Sequence, residues 1–241
     1  MSIKTFKRME KKSLLTDRQY EELTKRMEPY MEYDQYCPDG SSYSIYNIYY
    51  DTDDYRLIRT SLTKPYYKEK LRLRSYELPD SPESPVFLEM KKKVGGVVTK
   101  RRASLSLAEA DVFLSHHESP KDTAYLDGQV LHEISYFMER HPLSPAASIS
   151  YERVAYFGKT DPDLRITFDF HILSLDLRAD SDIPRELLAP GTCLMEIKLV
   201  GTAPLWLAEA FSSLHIRSAS FSKYGAMYKQ SLLDKRQPIT A

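Results

Sequence analysis

Charged and apolar side chains alternate along this chain with a period of two, in stretch after stretch. Read as a β-strand, Lys70-Leu71-Arg72-Leu73-Arg74 sets Lys70, Arg72 and Arg74 on one face and Leu71 and Leu73 on the other. Phe87–Lys93 sets Glu89, Lys91 and Lys93 against Leu88 and Met90. Leu164–Asp169 sets Arg165, Thr167 and Asp169 against Leu164, Ile166 and Phe168. Leu194–Leu199 sets Glu196 and Lys198 against Met195, Ile197 and Leu199. Any one of these patterns fits an antiparallel strand with its charges in water. That reading leaves unexplained why Lys, Arg and Glu recur with so few Ser, Thr or Gln between them. A closed sheet with its charged face inward and helices on its apolar outside explains the recurrence. The expected fold class is therefore α+β, an antiparallel β-barrel tunnel with a wet, cationic interior.

The other elements follow from similar spacing. Phe6 to Leu15 reads as a first strand with Glu10 and Lys12 on one face and Arg8 beside them. Thr16 is an N-cap for a helix whose apolar spacing runs from Asp17 to Met31, with Pro29 weakening the last turn. Pro38-Asp39-Gly40 marks a turn, Ser44–Asp51 a strand whose tyrosines are read as wall packing, and Thr52–Ser61 a short helix. Leu78–Pro85 is a polar, proline-rich loop. Gly95-Gly96 joins Val86–Lys93 to Val97–Ser104 as a hairpin. In its second strand either Val98, Lys100 and Arg102 face inward, or the face of Arg101 does. Helices are expected over Ser106–His116, from Asp127 or Gly128 to Arg140, over Pro204–Leu214 (with Trp206 in the core) and over Phe221–Leu233. Strands are expected over Ala147–Phe157, Leu164–Phe170 and Cys193–Val200. Ser174–Pro190 reads as a loop with Asp176, Asp180 and Asp182 solvated, and the tail from Asp234 as frayed. No repeat or linker divides the chain, so a single domain over 1–241 is expected.

Composition sharpens the picture at one point. The 241 residues carry 34 basic and 34 acidic side chains, a formal net charge of zero. A basic interior then requires an acidic exterior, which suits a small polyanion drawn into a focused cleft and not the wrapping of nucleic acid. No apolar run has membrane length, and no signal-peptide pattern opens the chain. Cys37 and Cys193 read as reduced thiols, so a cytoplasmic location is expected. Most of the six histidines fall outside the charged strands; His116-His117 reads as an exposed helix end, and no Ser-His-Asp or Cys-His set can be argued. Gly95-Gly96 lacks the downstream Gly-Lys-Ser/Thr of a phosphate-binding loop.

Many cations with few acids suit a substrate with several adjacent negative charges. Arg grips phosphate oxygens in a bidentate fork, and Lys acts as a point charge. Phosphoryl transfer needs mainly positioning and neutralisation. The few inward acids have two readings: Glu196, with Glu10 or Glu89 near it, holds Mg2+ or Mn2+, or these acids balance lysines as ion pairs.

Taken in order, several short motifs resemble one family. They are Arg8-Met9-Glu10-Lys11-Lys12, Tyr49-Tyr50-Asp51-Thr52, Lys70-Leu71-Arg72-Leu73-Arg74, Glu89-Met90-Lys91 and Ser150-Tyr151-Glu152-Arg153. Leu164-Arg165-Ile166-Thr167-Phe168-Asp169, Met195-Glu196-Ile197-Lys198 and Ser220-Phe221-Ser222-Lys223-Tyr224 follow. From Phe6 to about Tyr228 the chain resembles the catalytic domain of the VTC-type polyphosphate polymerases, in the triphosphate tunnel metalloenzyme (CYTH) superfamily. The resemblance implies growth of inorganic polyphosphate from the γ-phosphate of ATP, with a divalent metal, Mn2+ or Mg2+. It implies that Lys12, Arg72, Arg74, Lys91, Lys100, Arg153, Arg165 and Lys223 bind the phosphates, that Tyr151 and Ser222 assist, and that Glu196 holds the metal. Strand parity adds Lys70, Lys93 and Lys198 as substrate contacts and Glu10 and Glu89 as metal candidates.

Arg8 stands where the superfamily's first-strand Glu-x-Glu-x-Lys has its first Glu. With fewer carboxylates, a two-metal hydrolase is disfavoured and the polymerase branch favoured. The eukaryotic polymerases add a phosphate-sensing domain and membrane helices; neither is expected here, and a membrane-protein partner is left open. The expected partners are ATP and inorganic polyphosphate or triphosphate, without nucleic acid. Two alternatives stand beside the polymerase: a tripolyphosphatase or nucleoside triphosphatase in the same tunnel, and a polyphosphate-binding module without turnover.

Overall fold

The computed structural model describes residues 8–234; the expected strand start at Phe6 and the tail beyond Asp234 lie outside the described residues. In chain order the elements begin with β1 (Arg8–Thr16), α1 (Asp17–Met27), β2 (Met31–Tyr33), a 3-10 turn (Pro38–Gly40), β3 (Tyr43–Asp51) and α2 (Arg56–Leu62). Then come β4 (Tyr67–Ser75), β5 (Pro85–Val94), β6 (Val97–Ser106), α3 (Leu107–His116), α4 (Tyr125–Arg140) and β7 (Ser144–Gly158). The chain continues through β8 (Arg165–Asp176), β9 (Arg185–Glu186), β10 (Thr192–Val200), α5 (Leu205–Ser213) and α6 (Lys223–Asp234). Every strand pairing with a resolved register is antiparallel, and the class is α+β as expected.

Contacts divide the described residues into two compact units. The first takes the chain up to Ser44, Tyr151–Ile172 and Glu186–Ser222; the second takes Ile45–Ser150, Leu173–Arg185 and the chain from Lys223. In the first unit the strand order is β1-β10-β8-β7, with β2 paired to the end of β7. Its apolar face is formed by Leu15, Ile166, Phe168, Met195 and Ile197, covered by Leu23 and Met27 of α1 and Leu207 and Ala210 of α5. In the second unit the order is β7-β3-β4-β5-β6. There Leu71, Leu73, Leu88 and Met90 meet Phe113 of α3 and Leu131, Ile134 and Phe137 of α4. Each fully buried Leu, Met or Phe contributes about 1.5–3 kcal/mol through water release. Helices thus cover the aliphatic face in each unit, and the charged face is the opposite one.

Local chemistry sets the boundaries. The Thr16 side chain accepts from Gln19 N, and Gln19 reaches back to the Thr16 N–H, closing a capping box on α1. Ser106 and Glu109 do the same for α3. The helix expected to reach Met31 ends at Met27, because Pro29 carries no N–H to continue it. Met31–Tyr33 instead pairs with Gly158–Tyr156. Trp206 is half-buried and stacks on Tyr30, with centroids 4.6 Å apart and planes 2° off parallel. The stretch expected to be a loop from Ser174 begins inside β8. Asp176 is not solvated there: Tyr55 Oη donates to its Oδ1 at 2.5 Å, and Arg178 N donates to the same oxygen at 3.1 Å.

Gly158 closes β7 at a tight turn. Its N–H donates to Leu164 O at 2.9 Å, and a Cβ there would lie 2.4 Å from Asp161 O. Gly158→Ala is therefore expected to lower stability by about 1–3 kcal/mol, as overpacking against a backbone oxygen does. The urea midpoint should fall with an unchanged m-value.

Candidate functional site

In the second unit, register builds the charged face. Lys70 pairs with Lys91 and Arg72 with Glu89 across β4 and β5; Glu89 pairs with Arg102 and Lys91 with Lys100 across β5 and β6. The tight Gly95-Gly96 turn fixes the second register, and it resolves the open parity. Lys100 and Arg102 share the face of Glu89, whereas Arg101 lies on the helix side, where its Nε is 3.6 Å from Glu133 of α4. Glu89 is 1% exposed and is the hub of the face. Arg72 donates to its Oε2 through Nε at 2.8 Å, with Nη2 2.6 Å away. Lys100 Nζ lies 2.8 Å from Oε1, and Arg102 holds Oε1 through Nε at 2.6 Å and also through Nη2. Arg74 is buried and donates to Asn47 Oδ1 at 2.9 Å.

Burial pushes the Glu89 carboxyl up, but Arg72, Arg74 and Lys100 outweigh it and hold the group well below its ordinary value of 4.5. Glu89 is a carboxylate saturated by cations, which fits its ion-pair reading better than its metal reading. It also tethers three cations that would otherwise repel one another.

The first turn of α6 belongs to the same unit. Tyr224 donates to Asp51 Oδ2 at 2.8 Å, and its ring stacks on Tyr49 at 4.9 Å. Tyr49 in turn accepts from Arg72 Nη1 at 3.2 Å, and Lys70 Nζ lies 6.0 Å from the centroid of the Tyr224 ring. These contacts begin α6, and with it Lys223, at the charged face. Asp51 was legible as a strand residue and within the Tyr49-Tyr50-Asp51-Thr52 motif, without a role of its own. It is fully buried and also accepts from the N–H groups of Leu57 and Ile58, capping α2.

The first unit carries its own charged face. Lys12 pairs in register with Glu196, and Glu10 with Lys198. Lys12 Nζ lies 3.3 Å from Glu196 and 3.4 Å from Glu10, and it donates to Phe221 O at 3.3 Å. That last bond holds the chain segment ending at Ser222 beside β1. Lys198 Nζ lies 2.7 Å from the other Glu196 oxygen. On β8, Arg165 bonds Asp34 at 3.1 Å, and Asp169 takes Arg153 in a fork of 2.6 and 2.9 Å. The guanidinium of Arg153 sits 5.3 Å from the ring centroid of Tyr151. Burial raises Glu196, but Lys198 and Lys12 hold it well below the carboxylate range.

The structure therefore gathers Lys12, Glu10, Glu196, Lys198, Tyr151, Arg153, Arg165 and Ser222 in the first unit. It gathers Lys70, Arg72, Arg74, Glu89, Lys91, Lys93, Lys100 and Lys223 in the second. Asp34 and Asp51 were missed, because neither falls in an alternating charged strand. Thr167 was placed on the charged face but given no role. It is 2% exposed, it pairs in register with Glu196, and its Oγ1 has no hydrogen-bond partner among the described residues.

Among the described residues no three His, Cys, Asp or Glu side chains come together. A hard divalent cation can use one or two carboxylates and complete its shell with water and phosphate oxygens. Both oxygens of Glu196 are taken by lysines, Lys12 at 3.3 Å and Lys198 at 2.7 Å, so a cation would enter between Glu196 and Glu10 only by displacing Lys12, with the unpartnered Thr167 hydroxyl as a further oxygen.

Both depressed carboxylates make stability depend on pH. Each binds its proton less readily folded than unfolded, so its contribution is present above about 4.5 and is lost as pH falls below that value. Urea midpoints measured from neutral pH downward should decline there, and Glu89→Gln should flatten the decline.

The structure is thus an α+β fold in which antiparallel strands carry helices on their aliphatic face and clustered cations on the opposite one. The VTC domain family matches residues 7–232, and the chain belongs to that family. Among solved structures, one similar fold is a Bacillus halodurans protein provisionally assigned as an adenylate cyclase. It is 16% identical with a TM-score of 0.53, covering 90% of this chain and 95% of that one. The PH1819 protein of Pyrococcus horikoshii OT3 aligns at 14% identity and TM-score 0.40, covering 95% of this chain and 99% of that one. A search of the curated proteins finds no match. Among the described residues no helix is long and apolar enough to cross a membrane.

Proposed function

We propose that this protein is a phosphotransferase that lengthens inorganic polyphosphate with the γ-phosphate of ATP. One observation carries this reading: in the second unit Arg72, Arg102 and Lys100 converge on a single buried carboxylate, while Lys70 and Lys91 continue the same face. A face so rich in cations is matched by a ligand with charge on every repeat. Membership of the VTC domain family supports the same ligand class.

The chemistry asks little of a protein nucleophile. A terminal phosphate oxygen of the acceptor, ionised near neutral pH, attacks the γ-phosphorus. A new P–O–P bond forms, the bond from the γ-phosphorus to the β,γ-bridging oxygen breaks, and ADP leaves with the electron pair. In the second unit Arg72, Arg74, Lys91 and Lys223, with Lys70, Lys93 and Lys100, and in the first Lys12, Arg153 and Arg165, with Lys198, Tyr151 and Ser222, are each unit's groups for neutralising and aligning phosphates. Glu196 with Glu10 would hold Mn2+ or Mg2+, which supplies charge neutralisation at the phosphate oxygens when bound.

The test is a gel of the protein incubated with ATP and Mn2+, stained for polyphosphate and paired with an orthophosphate assay. Polymer is the expected product. Orthophosphate without polymer would favour a tripolyphosphatase or nucleoside triphosphatase, and neither product would leave a binding module.

A further inference from the structure

The charged face of the second unit changes character along its length. Its rungs run from Arg74, through Arg72–Glu89–Arg102 and Lys70–Lys91–Lys100, to Lys68–Lys93–Val98. Acid compensation is concentrated at Glu89. Among the described residues no ion pair joins Lys64, Lys68 or Lys93 to a carboxylate. Lys68 Nζ donates to Ser61 O of α2 at 3.1 Å, which brings it toward the end of that helix, where Lys64 follows. Burial, then Lys93, Lys64 and Lys91, press the Lys68 ammonium toward neutrality, the signature of like charges crowded together. Such crowding is relieved by an anion with charges at regular spacing.

We propose that Lys64, Lys68 and Lys93 form an extension subsite for inorganic polyphosphate, holding phosphates beyond those gripped by the arginines. The identity of the ligand rests on the polyphosphate reading above. Lysine suits such a subsite because its ammonium is a hydrated point charge on a flexible stem and imposes no fork geometry, so successive phosphates can pass it. Arginine, which locks oxygens in a plane, is kept to the other end of the ladder.

The experiment compares wild type with Lys64→Ala/Lys68→Ala, neither position belonging to the phosphate-gripping set. Competition titrations with long-chain polyphosphate and with tripolyphosphate are run at two salt concentrations. The double variant should bind the long chain about 5–10-fold more weakly and tripolyphosphate within about twofold of wild type, with a shallower salt dependence for the long chain. Lys64→Arg/Lys68→Arg should restore the long-chain affinity. Equal loss for both ligands, or no loss for either, overturns the subsite. So does an equal loss for a single-stranded oligonucleotide, which would mark an unselective basic patch. A differential loss in a protein that makes no polymer from ATP sinks the polymerase and leaves the subsite standing. Polymer synthesis without differential loss sinks the subsite alone.

Discussion

Asp169→Ala is expected to lower stability by about 3–5 kcal/mol, because it strands the Arg153 guanidinium in a buried position. The carboxylate is fully buried, and its two oxygens take two guanidinium nitrogens at 2.6 and 2.9 Å. Arg153→Ala should be similarly costly, because it removes the guanidinium that donates to both oxygens of the buried carboxylate. Arg153→Met/Asp169→Leu should recover most of the loss, since well-packed apolar groups commonly match or exceed a buried ion pair. Urea titrations of the three variants check this. The recovered double variant should nevertheless bind tripolyphosphate poorly. That separation would mean that Arg153 is retained for its ligand and that Asp169 is there to hold it in place.

Glu196→Ala is expected to reduce phosphoryl transfer by at least about 100-fold while polyphosphate binding is kept or strengthened. The side chain is pinned by Lys12 at 3.3 Å and Lys198 at 2.7 Å, and the buried Thr167 hydroxyl stands opposite in register. Removing the carboxylate releases Lys198 and leaves Lys12 with only Glu10 and Phe221 O, so more positive charge is available to phosphate and affinity does not fall. What is lost, on the proposed reading, is the anionic ligand for the divalent cation. Turnover followed against Mn2+ concentration should separate the two readings of this acid. Glu196→Asp should move the metal requirement upward, whereas a residue that only balances lysines would leave it unchanged. Turnover within about threefold of wild type in Glu196→Ala would overturn the metal reading.

Period-two alternation makes each charged face legible in the sequence alone, since it depends only on strand geometry. It assigns Lys70, Arg72 and Arg74 to one face of β4, and Glu196 and Lys198 to one face of β10. It cannot give partners across strands where no tight turn fixes the register. Gly95-Gly96 ties Glu89 to Arg102, but a nine-residue connection separates β4 from β5, so the meeting of Arg72 with Glu89 was hidden. Glu89 therefore stayed open as a companion metal ligand to Glu196. Asp34 escaped notice because it lies in a turn, yet it takes Arg165 at 3.1 Å. Asp176 read as a solvated loop residue because the pattern of β8 fades after Phe170, while Tyr55 and Arg178 come to it from outside that strand. A three-residue strand such as Met31–Tyr33 is too short to show a period at all.

The most direct measurement is a crystal structure of the protein soaked with tripolyphosphate and Mn2+. Phosphates within hydrogen-bonding distance of Arg72, Arg74 and Lys91 in the second unit, or of Arg153, Arg165 and Lys198 in the first, are the predicted result. Phosphates seated at Arg101 on the helix-covered side, or on the exposed Arg56 and Arg59 of α2, with both charged faces empty, would contradict it.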